Sequence, residues 1–205
     1  YGFKDADVTA SSIEVRPDGV SFELRSPWGT AQVDSPLLGR FNISNLLATT
    51  GVLGSLGYDA EHIAVALSTI SNVDGRMQAV KSEGCPLVVI DYAHTPDALE
   101  KALHAVREHC AGGLWCVFGC GGNRDAGKRP LMGAAAESHS DHVVLTDDNP
   151  RDEKSADITD QVMAGMSDSE SIKVILNRED AIAYAISRAE DTDVVLVAGK
   201  GHETY

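Results

Sequence analysis

Leu87-Val88-Val89-Ile90-Asp91-Tyr92-Ala93-His94-Thr95-Pro96-Asp97 is the stretch that decides the fold. Its apolar, β-branched opening has no polar alternation, the pattern of a strand covered on both faces, as strands of parallel sheets are. The run ends in a polar loop, and the loop ends in a helix start. Thr95 offers a capping hydroxyl, Pro96 suits the first helical position, and Asp97 puts an acid where the helix dipole favours one. Leu99, Leu103 and Val106 follow at helical spacing as the apolar stripe. The alternation then continues, with strands at Leu114–Phe118, His142–Leu145, Lys173–Leu176 and Val194–Val197. Asn177 caps a further helix through Arg178-Glu179-Asp180, with Ile182, Ala185, Ile186 and Ala189 facing inward. Strand and helix in turn predict a parallel, doubly wound α/β sheet with right-handed crossovers.

Upstream the pattern changes. Ser12–Val15 and Val20–Leu24 alternate polar with apolar residues around Arg16-Pro17-Asp18-Gly19, a hairpin signal, and Pro27-Trp28-Gly29-Thr30 turns the chain before Ala31-Gln32-Val33. After Gly39-Arg40-Phe41 the spacing becomes helical through Leu46, Leu47, Thr50 and Leu53 to Gly57, and a second helix runs from Ala60 to Ile70. The boundary between the two regions is expected in Asn72-Val73-Asp74-Gly75-Arg76, giving domains of residues 1–75 and 76–205.

A chain of 205 residues has room for one ordinary domain, or one and a part. Its formal charge of −14 excludes nucleic acid and anionic membrane surfaces as partners, because both repel it. No apolar run approaches the roughly 20 residues of a membrane helix, and no basic, apolar leader opens the chain. A cytoplasmic protein, monomeric by preference, is expected. Both ends read as cut: the chain opens Tyr1-Gly2-Phe3-Lys4 without Met and stops at Glu203-Thr204-Tyr205 after a Gly-rich turn. The 4 cysteines, Cys85, Cys110, Cys116 and Cys120, lack metal-site spacing and read as reduced thiols, so no metal site is expected.

Open α/β sheets bind ligands beyond the carboxyl ends of their strands. Here those ends carry Asp91-Tyr92-Ala93-His94, Gly119-Cys120-Gly121-Gly122-Asn123-Arg124-Asp125, Thr146-Asp147-Asp148-Asn149-Pro150-Arg151 and Ala198-Gly199-Lys200-Gly201-His202-Glu203. Arginine grips a carboxylate through two nitrogens, and an acid pairs an ammonium. Arg124 and Arg151 beside Asp148 and Glu203 therefore suit a zwitterionic amino acid, and Gly121-Gly122 can turn backbone N–H groups toward an anion. Gly199-Lys200-Gly201 lacks the spacing of a phosphate-binding loop and is not read as one.

Leu38-Gly39-Arg40-Phe41-Asn42-Ile43-Ser44-Asn45, Asp74-Gly75-Arg76-Met77, Asp91-Tyr92-Ala93-His94-Thr95-Pro96-Asp97, the segment 119–130, Asp148-Asn149-Pro150-Arg151 and Gly199-Lys200-Gly201-His202-Glu203 resemble, in this order, the motifs of the Mur ligase family. The resemblance spans nearly the whole chain. It implies the α/β end of a central ATPase domain followed by most of a Rossmann-like C-terminal domain. The family reaction is implied with it: ATP phosphorylates the D-glutamate carboxylate of a UDP-muramoyl dipeptide, and an incoming amine displaces the phosphate to form an amide. ATP and Mg2+ are the implied cofactors.

By the same resemblance Asn42 and Asn45 serve adenine, Arg76 meets the nucleotide at a hinge, and Asp91 and His94 face ribose and phosphate. Arg124, Asp148, Asn149, Pro150, Arg151, Gly199 and Glu203 fall at the amino-acid site. The Asp-Asn-Pro-Arg form resembles members that take meso-diaminopimelate, whose second carboxylate needs a cationic partner. Each residue also has a plainer role: Asn42 as a helix cap, Arg76 as a tether, His94 as a turn residue. The family's phosphate loop, metal ligands and modified lysine are not in this sequence, so no catalytic residue is assigned and the chain alone is expected to form no amide. Two other readings are a lysine-adding or other ligase of the same kind, and an amino-acid-binding module without catalysis.

Overall fold

The computed structural model describes residues 1–168 and 172–203. The chain divides into two compact units, Tyr1–Asn72 and Val73–Tyr205.

In the first unit, β1 (Thr9–Arg16), β2 (Gly19–Ser26) and β3 (Gly29–Ser35) form an antiparallel meander. The pairs Arg16↔Gly19 and Ser26↔Gly29 close tight turns at Pro17-Asp18 and Pro27-Trp28, where the sequence signals turns. The strands run longer than their alternating cores because ladder hydrogen bonds continue into the turn residues. The helices α1 (Arg40–Ser55) and α2 (Ala60–Ser68) follow. Gly57, at φ 98, ends α1: its N–H reaches Gly54 O at 2.9 Å and that of Tyr58 reaches Leu53 O at 3.3 Å, satisfying carbonyls that the helix leaves open. Phe22, Leu24 and Val33 from the sheet meet Ile43, Leu47, Ile63 and Leu67 from the helices in one core. Each such buried side chain stabilises the unit by roughly 1.5–3 kcal/mol.

The second unit contains β4 (Gln78–Val80), β5 (Leu87–Asp91), α3 (Pro96–Arg107), β6 (Leu114–Phe118), α4 (Lys128–His139), β7 (His142–Leu145), α5 (Ser155–Met163), β8 (Lys173–Val174), α6 (Arg178–Arg188) and β9 (Val194–Ala198). The strand order is β4-β5-β9-β6-β7-β8. From β5 to β8 all neighbours are parallel, as expected of the strands read from the sequence, and β4, which the sequence pattern does not mark, adds an antiparallel edge beside β5. The link between β4 and β5 is too short for a crossover, which leaves only the antiparallel pairing. At the other edge, β8 stops at Val174, short of the expected Leu176; Val174 and Leu176 are 37% and 40% exposed, so burial does not hold the strand straight.

The chain advances β6, β7, β8 in one direction and returns from β8 to β9 in the other. A right-handed crossover must change faces when direction reverses. α6 accordingly packs on β6, β7 and β9 through Ala181 and Ala185 against Trp115, Val117, Val144, Val195 and Val197. The alternate residues Cys116, Phe118 and Leu196 are fully buried toward the opposite face, where α3 packs on α4 and α4 on α5. Asp193 braces the end of the sheet away from the loops, accepting from Gly113 N at 2.7 Å and from Trp115 Nε1 at 3.2 Å. Among the described residues, no helix is long and apolar enough to cross a membrane.

Candidate active site

The loops after β5, β6, β7 and β9 meet at one rim of the second unit, around a cleft of about 530 Å³. Arg124, Lys128 and Arg151 contribute cationic groups to it, and Asp125, Asp148 and Glu203 contribute carboxylates. Tyr92, His94, Thr95, Gly121, Asn149 and Gly199 complete the lining.

The loops after β6 and β7 fit together because glycines let their backbones touch. A Cβ at Gly119 would overlap Thr146 O, and one at Gly122 would overlap Pro150 O. Gly122 N donates to Asn149 O at 2.8 Å, so this N–H, one of the two expected to face an anion, is committed within the protein. Arg151, at φ 51, turns back so that its Nη1 donates to Gly122 O at 2.7 Å, while Asn149 Oδ1 accepts from Arg151 N at 3.3 Å. Arg151 thus clamps one loop to the other and presents the rest of its fork to the cleft. Arg124 and Asp148 both line the cleft, where a ligand can meet them, and Asp148 also lies near enough to Arg178 for their charges to interact.

Beneath this rim lies a brace that the sequence reading did not identify. Arg129, 1% exposed, donates from Nη1 to Glu153 Oε2 at 2.7 Å and to Gln161 Oε1 at 2.8 Å. Its Nη2 donates to Glu153 Oε1 at 2.9 Å and to Gly121 O at 3.2 Å. Glu153 also accepts from the N–H of Asn123, and these partners, Arg129 first, hold its carboxyl down at about 2. Arg178 spans the β7 and β9 ends, giving Nη1 to Asp147 O at 3.2 Å and Nη2 to Ala198 O at 2.7 Å; desolvation lowers its pKa. Burial pushes the thiols of Cys116 and Cys120 up to about 12 and about 11, so neither is a thiolate nucleophile at neutral pH.

Tyr92 organises the opposite wall. Its hydroxyl donates to Glu203 Oε1 at 3.0 Å, which raises the phenol pKa. The Arg76 guanidinium lies 4.6 Å from the ring centroid, and the rings of His94 and His202 lie 4.7 Å and 6.3 Å away. His94 Nδ1 is 2.7 Å from Tyr92 O, and Lys128 Nζ donates to His94 O at 2.6 Å, tying α4 to the loop after β5.

Of the residues expected at the amino-acid site, Arg124, Asp148, Asn149, Arg151, Gly199 and Glu203 line the cleft. Pro150 stands behind it, its carbonyl accepting from Glu153 N at 3.0 Å. Of the residues expected at the nucleotide, His94 lines the same cleft and Arg76 stacks behind it on Tyr92. Asp91 is turned to the backbone, accepting from Ala93 N at 2.8 Å and Met77 N at 2.9 Å. Asn42 and Asn45 belong to the first unit. Asn42 Nδ2 donates to Leu38 O at 2.7 Å and Asn45 Nδ2 to Asn42 Oδ1 at 3.0 Å; the helix starts at Arg40, so Asn42 is not its cap. Tyr92, Thr95, Asp125 and Lys128 line the cleft, although the sequence assigns none of them an individual role there. The N-cap role of Thr95 and the place of Lys128 at a helix start, directly after the Gly119–Asp125 loop, were the available signals.

Comparison with known proteins agrees with this architecture. Residues 75–201 match the family described as Mur ligase, glutamate ligase domain, and residues 1–53 match the Mur ligase middle domain. The chain is 51% identical over 206 aligned residues, 99% of its length, to the UDP-N-acetylmuramoyl-L-alanyl-D-glutamate--2,6-diaminopimelate ligase of Coxiella burnetii (strain RSA 493 / Nine Mile phase I), covering 42% of that protein. It is 47% identical over its whole length to the ligase of the same name from Haemophilus influenzae (strain 86-028NP), covering 39% of it. A solved structure of a ligase of that name superposes with a TM-score of 0.79 at 39% identity, over 98% of this chain and 42% of the other. The chain therefore spans about two fifths of the length of the relatives it matches. With the family match running through the cleft-bearing unit and a second match in the unit before it, the chain belongs to the Mur ligase family.

Proposed function

We propose that the protein containing this chain is an ATP-dependent ligase that adds meso-diaminopimelate to UDP-N-acetylmuramoyl-L-alanyl-D-glutamate during peptidoglycan precursor synthesis. The cleft of the second unit receives the amino acid. The observation that carries this reading is the matched charge of the cleft: Arg124, Lys128 and Arg151 stand with Asp125, Asp148 and Glu203. Meso-diaminopimelate has two ammonium and two carboxylate groups, so a lining of both signs is what it requires. A charge-assisted hydrogen bond contributes about 1.5–3 kcal/mol, so the second carboxylate is enough to separate this ligand from lysine. The names of the relatives support the same substrate.

In the reaction, a D-glutamate carboxylate oxygen attacks the γ-phosphorus of ATP and ADP leaves. The amine nitrogen of diaminopimelate then attacks the acyl carbon, the bond to phosphate breaks, and the nitrogen loses a proton as the amide forms. The residues of this chain bind and orient: Arg124 and Arg151 take carboxylates, while Asp148 and Glu203 take an ammonium. Asn42, Asn45, Arg76 and His94 attend the nucleotide, with Asp91 holding the backbone beside Arg76. Positioning of this kind is worth several kcal/mol of barrier, about 7 or more when reacting atoms are held in line. Among the described residues, no three imidazole, thiol or carboxylate groups of the cleft lie close enough to share a metal ion, and no step is drawn through one. Dependence on ATP and a UDP-linked substrate is consistent with a cytoplasmic protein.

Calorimetric titration of the chain with meso-diaminopimelate, with lysine as control, tests the reading. Binding of the first and not the second, weakened at least about tenfold by Arg151→Ala or Arg124→Ala, is the expected result. Equal binding of lysine points to a lysine-adding or other ligase of the family. Binding that ignores both substitutions overturns the assignment of the cleft.

A further inference from the structure

On the side of the second unit that carries α3 and α4, Glu100, His104 and His139 converge outside the cleft. Glu100 and His104 are one helical turn apart on α3, and His139 is the last residue of α4. Both imidazoles turn Nε2 toward the same oxygen, Glu100 Oε1, at 3.8 Å from His104 and 3.7 Å from His139. The two rings lie 4.4 Å apart, and one ligand atom from each of the three side chains falls within 4.8 Å of the others.

We propose that these residues form a binding site for a transition-metal dication of the zinc class, which clips α3 to α4. Zinc takes imidazole nitrogen and carboxylate oxygen at about 2.0–2.2 Å, so ligands on tetrahedral corners stand roughly 3.3–3.6 Å apart. The observed separations close to that span with small side-chain rotations. Two imidazoles with one carboxylate select zinc, nickel or copper over magnesium and calcium, which prefer oxygen alone. The fourth position opens to solvent, since Glu100 and His104 are half exposed or more.

The helix pair is already fixed nearby: Arg107 Nη1 on α3 donates to Asp141 Oδ2, just beyond α4, at 2.8 Å. That pair holds His104 and His139 on facing surfaces before any ion arrives. His139 is roughly 16 Å along α4 from Lys128, so the site is separate from the amino-acid cleft. Both helices begin at the cleft, beside Thr95 and Lys128, and a bridge between them limits how far those two walls move apart.

The test is titration of the metal-free chain with ZnCl2 and with MgCl2, followed by calorimetry and by thermal unfolding, and with CoCl2, followed by visible absorption. One zinc per chain, a raised unfolding midpoint, a Co2+ absorption band of a low-symmetry site and no response to Mg2+ are expected. His104→Ala, His139→Ala and Glu100→Gln should each weaken zinc at least about tenfold, and His62→Ala, in the first unit, should not. All three side chains are at least partly solvent-exposed, so the variants should keep the wild-type circular dichroism and metal-free midpoint. Absence of saturable zinc binding overturns the proposal. So does zinc binding that is unaffected by His104→Ala and His139→Ala, because the ion then sits elsewhere.

Discussion

Arg129 and Glu153 face each other as a two-nitrogen, two-oxygen pair, at 2.7 and 2.9 Å, with the arginine 1% exposed. Arg129 opens α4 after the loop that follows β6, and Glu153 lies just beyond the Asp148–Arg151 turn. One buried guanidinium thus fixes two walls of the cleft from below. Its Nε makes no hydrogen bond among the described residues, which makes the pair with Glu153 its main compensation.

Arg129→Ala removes a packed side chain together with the brace. The expected loss is about 2–4 kcal/mol in the second unit, seen as a fall of roughly 7–14 °C in its thermal midpoint. Glu153→Gln, which keeps the shape but not the charge, should lower the midpoint less. Circular dichroism melts of both variants beside the wild type check the order.

The same pair sets an acid dependence. The Glu153 carboxyl falls from an ordinary 4.5 to about 2 in the folded protein, through Arg129 first and the Asn123 N–H second. A depressed carboxyl stabilises the fold fully above its unfolded value, because below that value the unfolded chain binds the additional proton. The contribution is lost as pH falls from about 4.5 through about 2. The gap in melting midpoint between wild type and Glu153→Gln should therefore be constant near neutrality and shrink across that window.

Gly122→Ala should open the rim. The new methyl would strike Pro150 O and push the loop after β6 from the loop after β7. Overpacking of this kind costs roughly 1–3 kcal/mol. The displaced loops also lose the Arg151–Gly122 hydrogen bond, so affinity for meso-diaminopimelate should drop at least about tenfold by calorimetry while the circular dichroism spectrum is retained.

Asp91→Ala tests a positioning role. Its carboxylate holds the N–H groups of Met77 and Ala93, and Met77 sits at φ 46, a conformation that a non-glycine residue adopts only when surroundings insist. The expected destabilisation is about 1–3 kcal/mol. Amide hydrogen exchange should quicken at Met77 and Ala93 ahead of the β5 core.

The sequence alone determined the strands at Leu87–Asp91, Leu114–Phe118 and His142–Leu145, whose bounds agree with the structure. Burial on both faces demands an unbroken apolar run, and runs this short and rich in Val and Ile between helix signals read as strands rather than buried helices. It also located the polar loops at one rim, since parallel strands must all release their chains at the same edge. Tertiary structure decided the rest. Gln78-Ala79-Val80 has no strand pattern of its own and becomes β4 because the edge of β5 offers hydrogen bonds to it. Asp91 and Gly122 read as ligand groups, yet their hydrogen bonds go to backbone atoms of neighbouring segments. Lys128 and Tyr92 carry no individual site role in the sequence reading, yet helix placement and ring packing bring them to the cleft. Local patterns report which groups reach the rim; which of those groups stay available to a ligand depends on partners that only folding brings within hydrogen-bond range.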